Sequence, residues 1–72
     1  MSEYFARINT KEEVQQTLDL LAAFNPRIET KEYGYEVFAP DGDLVFAAVQ
    51  VRPGVFACRF HKEVFDPENG ES

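Results

Sequence analysis

The stretch Tyr33-Gly34-Tyr35-Glu36-Val37-Phe38-Ala39-Pro40-Asp41-Gly42-Asp43-Leu44-Val45-Phe46-Ala47-Ala48-Val49-Gln50-Val51-Arg52-Pro53-Gly54-Val55-Phe56-Ala57-Cys58-Arg59-Phe60-His61, residues 33–61, decides how this chain folds. It holds three runs rich in β-branched and aromatic residues, separated by two clusters of turn formers. Ala39-Pro40-Asp41-Gly42-Asp43 suits a type I turn: Pro40 presets φ, and Gly42 takes the left-handed position as a bulge. Arg52-Pro53-Gly54-Val55 suits a type II turn with Pro53 and Gly54 at its centre. Together they predict three antiparallel strands in a meander.

Side-chain alternation then predicts the register. Pairing Ala39 with Asp43 sets Val37 opposite Val45, Tyr35 opposite Ala47 and Tyr33 opposite Val49. Pairing Arg52 with Val55 sets Val51 opposite Phe56, Val49 opposite Cys58 and Ala47 opposite Phe60. Both hairpins select the same side of the central strand, and a one-residue slip would invert one set. One face therefore carries Tyr33, Tyr35, Val37, Val45, Ala47, Val49, Val51, Phe56, Cys58 and Phe60, and is assigned to the core. The other carries Glu32, Glu36, Phe38, Leu44, Phe46, Ala48, Gln50, Ala57, Arg59 and His61.

A helix to cover the core face lies upstream. Thr10-Lys11-Glu12-Glu13 has the form of a capping box, with Glu12 and Glu13 at the positive end of the helix dipole. Val14, Leu18, Leu21 and either Ala22 or Phe24 share one helical face, widened by Leu20 and Ala23. Asn25-Pro26 stops the run, so the helix is predicted over residues 11–24. Residues 27–32 suit another strand, joined onward through a bulged turn at Lys31–Gly34 or continuing past a bend at Gly34. Tyr4–Ile8 suits a short edge strand or an arm, and Lys62–Phe65 an extension of the last strand. Residues 66–72 carry no apolar side chain and are expected to form a frayed acidic tail behind a single domain of residues 1–65. The predicted fold class is α+β: a two-layer sandwich, one N-terminal helix on a three- to four-stranded antiparallel β-meander, with one sheet face open.

Composition narrows the function classes. The 72 residues allow one domain, with 44 % hydrophobic and 14 % aromatic content to build a core. Seven basic and thirteen acidic residues give a formal charge of −6, the wrong sign for direct nucleic-acid or anionic-membrane binding. No apolar run is long enough to span a bilayer. Met1-Ser2-Glu3-Tyr4 lacks the basic flank and apolar core of a secretory signal. With the single cysteine unpaired, a cytoplasmic location is expected.

Chemistry-bearing residues are sparse. His61 is the only histidine, and Cys58 falls on the opposite predicted face, so neither a Cys–His pair nor a metal cluster is expected. Asp41 and Asp43 flank Gly42 as turn residues, without the ligand series of a calcium loop. Glu32 and Glu36 stand about 13 Å apart along a strand, too far for a hydrolytic carboxylate pair. Neither catalysis nor a cofactor is expected.

A solvated sheet face is normally more polar than the one carrying Phe38, Leu44, Phe46, Ala48 and Ala57. These residues, with Arg59 and His61 as polar rim contacts, form the expected protein interface. The expected partner is a second copy of the chain or a larger protein, because a chain this short gains from burying a further apolar face. The alternative is an acidic inhibitor that mimics nucleic acid and occupies the cationic groove of a nucleic-acid-processing protein. Glu12, Glu13, Asp19, Glu29, Glu32 and Glu36 would then make the contacts.

Overall fold

Thr10 belongs to two elements at once, ending a strand and capping the helix that follows. In the computed structural model, which describes residues 3–65, β1 (Tyr4–Thr10) runs straight into α1 (Lys11–Ala22). Then come β2 (Arg27–Lys31), β3 (Gly34–Phe38), β4 (Leu44–Arg52) and β5 (Val55–His61). The five strands form one antiparallel sheet in the order β1-β5-β4-β3-β2. The helix carries the chain from one edge of the sheet to the other, and the meander β2–β5 returns to β1. The fold is the expected helix on an antiparallel sheet, with five strands rather than three or four. Both flanking segments join it: β1 pairs with β5 from Tyr4↔His61 to Thr10↔Val55, and β2 with β3 from Arg27↔Phe38 to Lys31↔Gly34.

The helix starts as its sequence dictates. The Glu13 N–H donates to Thr10 Oγ1 at 3.2 Å, and the Thr10 N–H donates to Glu13 Oε1 at 2.8 Å. This reciprocal pair satisfies two otherwise orphaned donors. The Lys11 N–H donates to the Gly54 carbonyl at 3.0 Å, tying the first helical turn to the β4–β5 hairpin. Val14, Leu18 and Leu21 face the sheet, whereas Leu20 and Phe24 are exposed. Asn25, at φ 58°, and Pro26 turn the chain into β2. No helix among the described residues is long and apolar enough to cross a membrane.

Both predicted turns close as expected. The Ala39 N–H donates to Asp43 O and the Gly42 N–H to Ala39 O, each at 2.8 Å, while the Asp43 N–H is held by Asp41 Oδ1 at 3.0 Å. Gly42 and Gly54 adopt φ of 100° and 77°, the left-handed positions the turns require. Phe38 pairs with Leu44, and Arg52 with Val55, as the turn geometry demands.

The register inside β4 differs from the expected one. Beyond Phe38↔Leu44 the next pair is Val37↔Phe46, so Val45 is an inserted bulge residue. Beyond Arg52↔Val55 the next pair is Gln50↔Phe56, so Val51 is a second one. Each bulge places two residues of β4 against one on its partner and shifts the strand by one. Between the bulges every side chain of β4 therefore lies on the face opposite to that expected. Val37 meets Phe46 and Tyr35 meets Ala48, and these in turn meet Phe60 and Cys58.

The core beneath α1 follows from that shift. Val14, Leu18 and Leu21 pack on Val37, Val45, Phe46, Ala48, Phe56, Cys58 and Phe60. Val45 is buried as well because a bulge turns two consecutive side chains toward the same side. The assignments of Val37, Val45, Phe56, Cys58 and Phe60 to the core stand. Tyr33, Val49 and Val51, also expected there, are exposed, Val49 by 54 %. Lys62–Phe65 do not prolong β5. The Val64 and Phe65 N–H groups fold back onto the His61 carbonyl, at 3.1 and 2.9 Å. This brings the Phe65 ring to 5.0 Å from Phe60 and 6.3 Å from Phe46 between centroids. The segment expected as a frayed tail, residues 66–72, lies outside the described residues.

Candidate docking face

Strand pairing places three rows of side chains across the face of the sheet turned away from α1. The middle row is Glu29, Glu36, Ala47, Arg59 and Ala6; beside it lies Lys31, Gly34, Val49, Ala57 and Ile8. At the other end Arg27 pairs with Phe38, Phe38 with Leu44, and Tyr4 with His61. The column along β4, the central strand, is thus Leu44, Ala47 and Val49, apolar until the exposed Arg52 at its end.

The β2 edge of this face is laced with charge. Arg27 Nη2 lies 3.2 Å from Glu29 Oε2, Lys31 Nζ 3.1 Å from Glu29 Oε1, and Lys31 Nζ 3.7 Å from Glu36 Oε1. The hydrogen bond and charge of Glu29, then the charge of Glu36, hold the Lys31 ammonium above its ordinary pKa. Arg27 also lies 4.9 Å from the centroid of Phe38. Such charges on an edge strand discourage pairing with another chain at that edge. Across the sheet the exposed Arg59 has no carboxylate within ion-pair distance among the described residues.

Of the residues expected at the interface, Phe38, Leu44, Ala57 and Arg59 do lie on this face. Phe46 and Ala48 do not: they are 0 % and 1 % exposed, under the helix, because the Val45 bulge turns them inward. Their placement on the open face is corrected accordingly. His61 is on the open side, away from Phe46, but it is buried rather than an exposed rim contact. The Tyr4 ring meets it edge-on at 5.0 Å, and its Nδ1 accepts from the Glu63 N–H at 3.1 Å. Its Nε2 is 3.9 Å from the exposed Glu3 carboxylate. Tyr4 in turn donates its hydroxyl hydrogen to the Leu44 carbonyl at 3.0 Å, so this corner is closed by hydrogen bonds.

The residues that sequence reasoning missed are Val49, Tyr33 and Ile8, all exposed, with Ala6 and Ala47 beside Arg59. Gly34 was the available signal. A residue without a side chain in mid-sheet marks close approach or a recess. Here it marks the close approach of the β4 backbone, and a recess of about 250 Å³ beside it is walled by Tyr33, Glu36, Ala47 and Val49. A second apolar recess of about 320 Å³ lies at the end of α1, between Leu21, Phe24, Pro26, Pro40, Val45 and Val64.

Cys58 and His61 lie on opposite sides of the sheet, and no group of three metal-ligating side chains gathers among the described residues. Burial, and then the nearby Glu13 carboxylate, pushes the Cys58 thiol up to about 11. A protonated, enclosed thiol is a poor nucleophile. Labelling of native Cys58 by a thiol reagent at neutral pH is therefore expected to be slow and to accelerate on addition of urea. The raised value also fixes a sign. Between pH 9.0 and about 11 the unfolded thiol releases its proton while the folded one retains it, so stability falls as pH rises through that window. Urea titrations should show this decline in the native chain and a smaller one in Cys58→Ala.

Comparison with known proteins finds no family model that matches the chain, no match among curated proteins and none among solved structures.

Proposed function

We propose that this chain is a small non-catalytic protein-binding module that docks through the open face of its sheet. The observation that carries this reading is the exposed apolar surface of Ile8, Val49 and Tyr33 around the small side chains of Ala47 and Ala57 and the recess at Gly34. Water contact with such a surface is unfavourable, and its burial supplies the main driving force of association. Charged residues border it, in the arrangement of an apolar centre with a polar rim. The acidic-inhibitor alternative draws no support from this face, where Arg27, Lys31 and Arg59 offset Glu29 and Glu36.

A photo-reactive side chain placed at position 49, and separately at position 16 on the exposed side of α1, tests the reading. Position 49 should give a discrete cross-linked product in the cell and position 16 should not. A product at 16 with none at 49 would overturn it. Val49→Asp should abolish the natural association while leaving the melting temperature within about 2 °C, because the side chain is outside the core.

A further inference from the structure

We infer that the occupant of the open face is a second copy of the same chain, related by a two-fold axis running along β4. This rests on the docking reading above and adds the partner. β4 is the middle of five strands, so an axis along it lays β4 on its own copy, β5 on the copy's β3, and β1 on the copy's β2. Such a rotation leaves positions along the strands unchanged, so each row meets itself reversed.

The inner three positions of the two rows are self-complementary under that operation, while at the row ends Ile8 falls over Lys31 and Ala6 over Glu29. In the middle row Ala47 lies between Glu36 and Arg59. Reversal puts Arg59 of each copy over Glu36 of the other, with the two Ala47 residues in contact at the axis. In the neighbouring row Val49 lies between Gly34 and Ala57. Reversal sets Val49 against Val49, and Ala57 against the bare backbone of Gly34 beside the recess. Stacked sheets are about 10 Å apart, a gap that an arginine and a glutamate side chain together can span. The usual crossing angle of about 30° between packed sheets leaves the residues nearest the axis superposed.

Within one copy the same two charges are not paired with each other. Arg59 and Glu36 are separated by the whole of β4, about 10 Å. Arg59 has no described ion-pair partner, and Glu36 holds Lys31 only at 3.7 Å, while that lysine has its closer contact at Glu29. Both charges are thus available for reciprocal bonds across the axis. Five strands at about 4.8 Å give a face of about 20 Å by 20 Å, and two such faces cover about 800 Å², the size of a weak, reversible pair.

Charge exchange tests the geometry. Arg59→Glu places like charges across the axis, and so does Glu36→Arg. Both positions lie off the core, and circular dichroism melts verify that each variant folds. Sedimentation equilibrium of the full chain from about 10 to 500 µM should show a dimer, weakened about tenfold or more in each variant. Mixing the two variants restores both pairs, so a heterodimer as tight as the native dimer should form. A native chain that remains monomeric at 500 µM overturns the self-pairing, as does a mixture that associates no better than its components. If the position 49 cross-link is then found on a different protein, the docking reading survives and only the partner is wrong. If position 49 gives no cross-link at all, both fall.

Discussion

Phe46→Ala is expected to remove about a quarter of the protein's stability or more. The Phe46 ring is 0 % exposed, with its centroid 5.0 Å from Phe60 and 6.3 Å from Phe65, at the centre of the layer between sheet and helix. Truncating a buried phenylalanine costs about 3–5 kcal/mol, through lost transfer free energy and the cavity left behind. A domain of this size has a total stability of roughly 4–11 kcal/mol. The urea midpoint should fall by about a quarter or more, and the cooperative transition should disappear if the native stability lies at the low end of that range. The measurement also decides between two sheet registers. Had Phe46 faced solvent as a contact residue, the substitution would weaken association and leave the midpoint unchanged.

Gly34→Ala is expected to be nearly as damaging, although it adds a single methyl group. A Cβ at position 34 would overlap the Ala48 carbonyl oxygen and stand 2.8 Å from its carbon and 3.1 Å from Val49 Cα. These are backbone atoms of the central strand, held between β3 and β5, so no side-chain rotation relieves the overlap. The β3–β4 ladder must separate, at a cost of about 3 kcal/mol or more. The melting temperature should drop by about 12 °C or more. A variant melting within about 2 °C of the native chain would mean that β3 and β4 are not so closely apposed. Unlike Gly42 and Gly54, Gly34 is required for space and not for a positive φ.

Particular residues show where sequence reasoning held. Thr10 and Glu13 announce the helix start because a cap is a local interaction, complete within four residues. Pro40 with Gly42, and Pro53 with Gly54, announce the turns because they act on their own backbone dihedrals. Phe38, Leu44, Ala57 and Arg59 were placed on the open face correctly. Phe46 and Ala48 were not, and the apparent agreement of two hairpins did not protect the assignment. The turns fix pairing at the two ends of β4, at Leu44 and Arg52, whereas the bulges at Val45 and Val51 lie just inside them. Two shifts on one strand leave the hairpins consistent with each other and invert everything between.

What the amino-acid order determined on its own is the helix, the turns, the antiparallel meander and the inward faces of β3 and β5. Each depends on residues close in the chain or on a clear apolar–polar alternation. Which side of β4 faces the helix was decided only in the assembled fold. Leu44-Val45-Phe46-Ala47-Ala48-Val49 is apolar at every position, so neither phase of the alternation is favoured by hydrophobicity. Volume made the choice: Phe46 fills the space against Phe60 and Phe65, the small Ala48 accompanies it inward, and Val49 is left facing solvent. The candidate docking face owes its present composition to that packing decision.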